Sequence, residues 1–393
     1  MYDFDRKIDR RCTYSYKYDR LSQLFGRSDL LPLWVADMDL ATPDFIIDAL
    51  RRRLSHPIFG YSCWPDGYFT QICDWIESHH GWHVEEPWLT YIPGIVKGIG
   101  LALNYFLKPG DKVIIQPPVY HPFREVPTNN GFTVVENPLI DNSDGSYSMD
   151  FDNLESVCDD RCKILILCNP HNPIGIVWDR DTLERLAHFC HRRGLIVISD
   201  EIHCDLTLYG HRHIPFASVS KEASEISITF GAPSKTFNIA GIVSSWSVIS
   251  NPRLRDGFYS WLEASELNEP TLFAPIATMA ALTSEGESWR KDLVRYLECN
   301  IDYVCDYCAR KLPGIHAVRP AASFLVWLDC RGLGMSDAEV IDLFLNKARL
   351  ALNSGSSFGK EGACCMRMNI ASPRQMLEEA LERLRLATEA IRD

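Results

Sequence analysis

Between residues 112 and 249 the chain alternates short apolar runs with amphipathic stretches, and this alternation limits the fold more than any other feature. The runs 112–116, 132–136, 163–168, 195–199, 226–230 and 242–249 read as buried strands. Strands this short and apolar on both sides of the pleat belong to a mainly parallel sheet with helices on both faces. The stretch between the third and fourth runs reads as one such helix. Asp181 is its expected cap, with Glu184 three residues on and Gly194 at its end. Leu183, Leu186, Ala187 and Cys190 fall on one face.

Flanking segments complete an α/β plan. Thr42-Pro43-Asp44 reads as a helix start, with a hydroxyl cap, a proline at the first position and an acid in the first turn. A second helix is expected over 68–79. The turn around Pro93-Gly94 opens into a third over 96–107. A glycine turn at a helix start exposes backbone N–H groups, so it is a candidate phosphate site. From about Trp289 the pattern changes to a long helix, the strand 323–328, a helix over 338–348, the strand 366–370 and a last amphipathic helix. Leu377, Ala380, Leu381, Leu384 and Ile391 are expected on the buried face of that last helix. The expected division is a small domain built from both chain ends, 1–50 and 286–393, around a large domain, 51–285.

Composition narrows the class. A chain of 393 residues with 46% hydrophobic content can fill sizeable cores. The net charge of −12 argues against a nucleic-acid surface, and no apolar run is long enough to cross a bilayer. Met1 to Arg6 lacks the basic-then-apolar pattern of a signal peptide. Many of the 14 cysteines, such as Cys168, Cys190 and Cys330, lie inside apolar elements. Free thiols in a reducing cytoplasm are the expectation. Cys305 and Cys308 have the spacing of half a zinc site, but Cys364 and Cys365 are adjacent and complete it poorly, so no metal is expected there.

Chemistry-bearing residues collect where the strands end. Lys235 stands in Ala232-Pro233-Ser234-Lys235-Thr236-Phe237, among small and apolar neighbours. Partial burial lowers a lysine's proton affinity and turns it into a nucleophile toward carbonyl carbon. Asp200 follows one strand, Asn172 follows another, and Tyr120 follows Gln116-Pro117-Pro118-Val119. A carboxylate keeps a pyridine nitrogen protonated, an amide bonds a ring oxygen, and an aromatic stacks on a ring face. Together these types suit pyridoxal phosphate.

The sequence resembles fold-type I pyridoxal-phosphate enzymes of the class I/II aminotransferase group. The motifs are Asn-Pro-x-Asn-Pro-x-Gly at 169–175, Ser-Asp-Glu at 199–201, Ser-Lys-Thr-Phe at 234–237 and Arg367 in Met-Arg-Met-Asn. The resemblance implies the cofactor-linked lysine at Lys235 and the pyridinium partner at Asp200. It places Asn172 on the ring hydroxyl and the substrate carboxylate, and Tyr120 on the ring face. Backbone N–H groups of Gly94, Ile95 and Val96 and the Ser234 hydroxyl would meet the phosphate. Arg367 would grip the substrate carboxylate, with Ala36 also at the substrate. Tyr61 matches a tyrosine that reaches the neighbouring subunit's phosphate, which implies a homodimer with shared sites.

Within that group the chain is similar to the MalY/PatB type of cystathionine β-lyase, through Trp34-Val35-Ala36-Asp37-Met38-Asp39, Phe59-Gly60-Tyr61-Ser62 and Asp200-Glu201-Ile202-His203. His203 replaces the tyrosine of aspartate-type transaminases, and Ala232 replaces a phosphate-binding serine. No arginine lies between Lys235 and Asn251, so the phosphate pocket lacks a cation those enzymes have. The expected activity is α,β-elimination of L-cystathionine or a related cysteine S-conjugate. An aminotransferase is the alternative. A cofactor-binding regulator fits poorly, because no added basic DNA-binding region is present. Trp34, Tyr14 and Tyr16 are candidates for lining the substrate pocket.

Overall fold

A computed structural model describes residues 2–392. Its main sheet has seven strands: β1 (Leu89–Ile92), β2 (Lys112–Ile115), β3 (Thr133–Glu136), β4 (Cys162–Cys168), β5 (Ile196–Asp200), β6 (Ser227–Gly231) and β7 (Ser245–Val248). The spatial order is β1-β7-β6-β5-β4-β2-β3. Every pairing is parallel except the two made by β7. The last apolar run, 242–249, is therefore an antiparallel member, and it is strand only over Ser245–Val248: Ile242 closes the 3-10 turn Ala240–Ile242.

Both faces of the sheet are covered. Along β4, Ile164, Ile166 and Cys168 join one apolar cluster while Leu165 and Leu167 join another. The first cluster takes Ile95, Ile99 and Leu103 from the helix Ile95–Phe106. The second takes Leu183, Leu186 and Cys190 from the helix Arg180–Arg193. Each fully buried Leu or Ile contributes about 1.5–3 kcal/mol, so the two helices are held to opposite faces by apolar burial.

A second, four-stranded antiparallel sheet is made by β8 (His316–Val318), β9 (Leu325–Asp329), β10 (Asn353–Ser354) and β11 (Cys365–Asn369), in the order β8-β9-β11-β10. The helices Ser284–Lys311 and Arg374–Arg392 accompany it. The two-residue strand Leu31–Pro32 pairs in parallel with Leu350–Ala351, so an early segment joins the late part of the chain. Among the described residues no helix is long and apolar enough to cross a membrane.

Three local expectations change. Asp179, not Asp181, caps the helix before Gly194, accepting from Thr182 N at 2.7 Å. Thr42 caps nothing: Pro43 holds the cap position, and the Thr42 hydroxyl donates to the Asn238 carbonyl at 2.9 Å. That bond ties the early segment to the loop after Lys235, which outweighs one helix cap. In the last helix Leu377, Ala380, Leu381 and Leu384 are buried, but Ile391 is 47% exposed because it lies beyond the packed turns.

Gly175 joins the two sheets. Its φ of +78° suits glycine, and its carbonyl accepts from Ala321 N and Ala322 N at 2.8 and 3.1 Å. A Cβ there would lie 2.3 Å from Pro320 Cβ and 2.9 Å from the Ala322 carbonyl oxygen. Gly175→Ala is expected to destabilise the fold by about 2 kcal/mol or more, through clash and backbone strain, as read from urea unfolding.

Candidate active site

Register brings the site together. Cys168 at the end of β4 pairs with Asp200 at the end of β5, and Asp200 pairs with Phe230 near the end of β6. The loops that follow carry Asn172, His203 and Lys235 off the same edge. Asp200 and its neighbour Glu201 point to different tasks. Glu201 accepts from Ser199 Oγ, His213 Nε2 and Phe216 N at 2.8, 2.8 and 2.9 Å, which makes it a strut behind the sheet. Asp200 accepts only from Ile202 N, at 3.1 Å, among the hydrogen bonds of the described residues. Burial pushes its carboxyl up to about 7, against the opposing pull of that N–H and of Lys235. A buried carboxylate this poorly paired calls for a cationic partner.

Lys235 Nζ donates to the Ala36 carbonyl at 2.7 Å. Burial brings its ammonium down to about 8, with Asp37 and Asp200 opposing the shift and Arg367 adding to it. Asp200, Arg367 and Lys235 therefore share one electrostatic field. Arg367, 3% exposed, donates from Nη1 to Asn172 Oδ1 at 2.9 Å and from Nη2 to the Trp34 carbonyl and Asn353 Oδ1 at 2.9 and 2.7 Å. Its Nε is buried without a partner. Because Arg367 occupies Asn172 Oδ1, the Asn172 amide nitrogen is left to donate elsewhere. Tyr120 N donates to the Asn172 carbonyl at 3.1 Å, which holds the aromatic beside the same group. His203 is buried, with Nδ1 unpartnered; burial, Lys235 and Arg367 hold its ring neutral, its pKa down at about 3.

A cavity of about 250 Å³ adjoins Lys235, walled by Ile95, Val96, Lys97, Ser234 and Ser244 among others. Ile95 is the first residue of its helix, whose start has no side-chain cap, so its leading N–H groups are unclaimed there. Gly94 departs from expectation. Its N–H turns back to the Ile92 carbonyl at 2.8 Å and Ser245 Oγ at 2.9 Å, because φ of +105° closes the turn that way. On the other side of Lys235 lies a cavity of about 590 Å³. Tyr14 and Tyr16 line it, while Trp34 stands behind them with Nε1 on the Lys17 carbonyl at 3.0 Å. Tyr61 is fully exposed and lines neither of these two cavities.

Several residues that organise the site have no role assigned from the sequence, though Asn369 ends the Met-Arg-Met-Asn motif. Asn238 accepts from Met38 N and donates to the Met38 and Leu40 carbonyls, at 3.0, 3.0 and 2.8 Å. Asn369 donates to the Val35 and Asp37 carbonyls, both at 2.6 Å. Together they clamp the segment whose Ala36 carbonyl meets Lys235. Lys17, with no side-chain exposure, pairs with Asp39 at 2.6 Å, and Arg10 binds Asp37 and Asp39 at 2.6 and 2.8 Å. Lys97 is exposed at the cavity wall and pairs with no carboxylate among the described residues. No arginine lies between Lys235 and Asn251, and Lys97 and Lys235 are the cations that line this cavity.

The residues fit a phosphorylated pyridine aldehyde: an amine for the carbonyl, an unpaired buried carboxylate for the ring nitrogen, and free N–H groups for the phosphate. Comparison with known proteins agrees. The model for "Aminotransferase class I and II" matches residues 28–384. The chain belongs to that family. It is 41% identical over 386 residues to cystathionine beta-lyase PatB of Bacillus subtilis (strain 168), covering 98% of this chain and 99% of the relative. It is 34% identical to protein MalY of Escherichia coli (strain K12), over the whole of both chains. The crystal structure of cystalysin from Treponema denticola, which contains a pyridoxal 5'-phosphate cofactor, superposes with a TM-score of 0.95 at 33% identity, over the whole of both chains.

The shifted lysine sets a pH dependence for this member of the family. Below about pH 8 the Lys235 amine is mostly protonated and unreactive; above it the free base dominates. In the cofactor-free protein, addition of a carbonyl reagent at Lys235 is expected to accelerate about tenfold per pH unit up to about 8 and then level off. An ordinary lysine would keep accelerating to about 10.4. Stopped-flow absorbance follows the reaction.

Proposed function

We propose that this protein is a pyridoxal-phosphate-dependent carbon–sulfur β-lyase that cleaves L-cystathionine or related cysteine S-conjugates to a thiol, pyruvate and ammonia. The observation that carries the reading is the low-affinity Lys235 amine set in one field with Asp200 and Arg367, in a chain 41% identical to a cystathionine β-lyase. When bound, the cofactor supplies a carbonyl that condenses with amines and a protonated ring that withdraws electrons from the substrate's Cα. Lys235 is the group that holds it and the base that then takes the Cα proton. Asp200 would keep the ring nitrogen protonated, and Asn172, whose Oδ1 is taken by Arg367, would donate its amide N–H to the ring oxygen. Arg367 fixes the substrate carboxylate through its free Nε edge and the atoms around it, with Ala36 alongside. Tyr120 would pack on the ring, and His203, held neutral by burial and by Lys235 and Arg367, would add no charge to the cofactor site. The Cβ–S bond breaks with its electron pair on sulfur, the thiolate takes a proton, and the freed enamine hydrolyses in water.

Ile95, Val96 and Ser234 meet the phosphate, and Lys97 adds the cation that the sequence lacks after Lys235. Tyr61, exposed on one chain, serves the phosphate of a second copy in a homodimer. The small domain drawn from both chain ends carries Ala36 and Arg367 to the large domain's lysine.

Two experiments test the reading. Purified enzyme given L-cystathionine and no keto acid is expected to release pyruvate catalytically, and Lys235→Ala to lose at least about a thousandfold in rate. Keto-acid formation only in the presence of an amino acceptor would assign transamination instead, the other chemistry its family name covers. Lys97→Met is expected to weaken cofactor retention by about fivefold, read by dialysis and absorbance, with substrate KM unchanged; equal retention would remove Lys97 from the phosphate site.

A further inference from the structure

A third cavity, of about 520 Å³ and not lined by Lys235, is walled by side chains of metal-ligand type. His80 comes from the last turn of the helix Tyr68–His80, and Cys204 and Asp205 from the 3-10 turn Cys204–Leu206 just after β5. One ligand atom from each lies within 4.8 Å of the other two, and His80 Nε2 is 2.9 Å from Asp205 Oδ1. Donors around a tetrahedral zinc ion stand roughly 3–4 Å apart, so modest side-chain rotation closes the set. A mixed N, S and O set suits a borderline ion such as zinc far better than magnesium or calcium. We propose that His80, Cys204 and Asp205 form a binding site for a zinc-type divalent cation, with the cavity leaving a fourth position for water.

The surroundings support it independently. Asp205 is already oriented: Trp75 Nε1 donates to both its carboxylate oxygens at 3.2 Å, and Thr236 Oγ1 donates to Oδ2 at 3.4 Å. His213, in the same cavity wall, is fully buried with Nε2 fixed on Glu201 at 2.8 Å and Nδ1 left without a partner. Its ring stands edge-on to His80 at 5.2 Å between centroids. The local cations do not oppose an ion. Arg290 is neutralised by Glu287 at 2.6 and 2.9 Å and touches only the Asp205 carbonyl, at 2.9 Å, while His79 is also on Glu287, at 3.0 Å. Binding displaces the Cys204 thiol proton to solvent. Asp205 then links the ion to Thr236, the residue that follows Lys235.

The test uses the cofactor-loaded enzyme after chelation and desalting, titrated with Zn²⁺ by calorimetry and with Co²⁺ by visible absorbance. One saturable equivalent per chain is expected, with tetrahedral d–d bands and a thiolate-to-cobalt charge-transfer band. Cys204→Ser should remove the charge-transfer band and, like His80→Gln, weaken Zn²⁺ binding by about tenfold or more. Cys305→Ser should leave both unchanged. Absence of a saturable equivalent, or one that survives Cys204→Ser and His80→Gln, would overturn the site and leave a hydrogen-bonded strut. The Co²⁺ spectrum of the unaltered enzyme decides the thiolate ligand even if a variant folds poorly.

Discussion

An amine held away from water needs something to accept its protons, and in this fold that acceptor is the Ala36 carbonyl at 2.7 Å from Lys235 Nζ. The contact spans 199 residues of sequence, so both ends have to be located separately. Lys235 is located by the end of β6 and the turn after it. Ala36 is located by Asn238 and Asn369, whose amides bind the carbonyls and N–H groups on either side. Behind them the buried Lys17–Asp39 pair and the Arg10 fork hold the same segment. Breaking one partner of a buried pair leaves an uncompensated charge, so these groups stand or fall together.

The same segment decides the electrostatics. Burial lowers the proton affinity of Lys235 and raises that of Asp200, and each would be shifted further without the other. Arg367 adds positive charge beside Lys235, and burial, with Lys235 and Arg367 adding to it, keeps His203 neutral. The lysine thereby becomes nucleophilic from about pH 8 upward, well below the range of an ordinary lysine, while the carboxylate accepts only one N–H among the hydrogen bonds of the described residues. A parallel sheet makes this economical: adjacent strands end at one edge, and the loops that leave it carry groups of opposite demand to within one field.

Much of this was legible in the sequence, for a physical reason. The apolar runs on each side of the pleat required helices on both faces, and five of the six became parallel strands near their expected bounds. Lys235, Asp200, Asn172 and Arg367 lie on loops or strand ends flanked by strong local signals. Their types are tied to chemistry that few other residues supply. Two helix caps were misplaced because local rules compete with distant partners. Thr42 gave up a cap for the Asn238 carbonyl, and Asp179 served where Asp181 had the same chemistry two residues later.

What the sequence by itself determined was the class of sheet, the order of its elements and the identity of the groups that react. Periodicity and residue type are local properties, and they survive without knowledge of the fold. Only the tertiary structure decided which residues hold those groups in place and which donors stay free. The Gly94 N–H is spent on Ile92 and Ser245, while Lys97 faces the cavity next to it. Asn238, Asn369, Lys17 and Arg10 act through contacts between distant segments, and an asparagine or a lysine looks the same in sequence whether it meets solvent or a carbonyl 200 residues away. The gathering of His80, Cys204 and Asp205 is of that kind, since the helix and the turn that carry them meet only after the cores have closed.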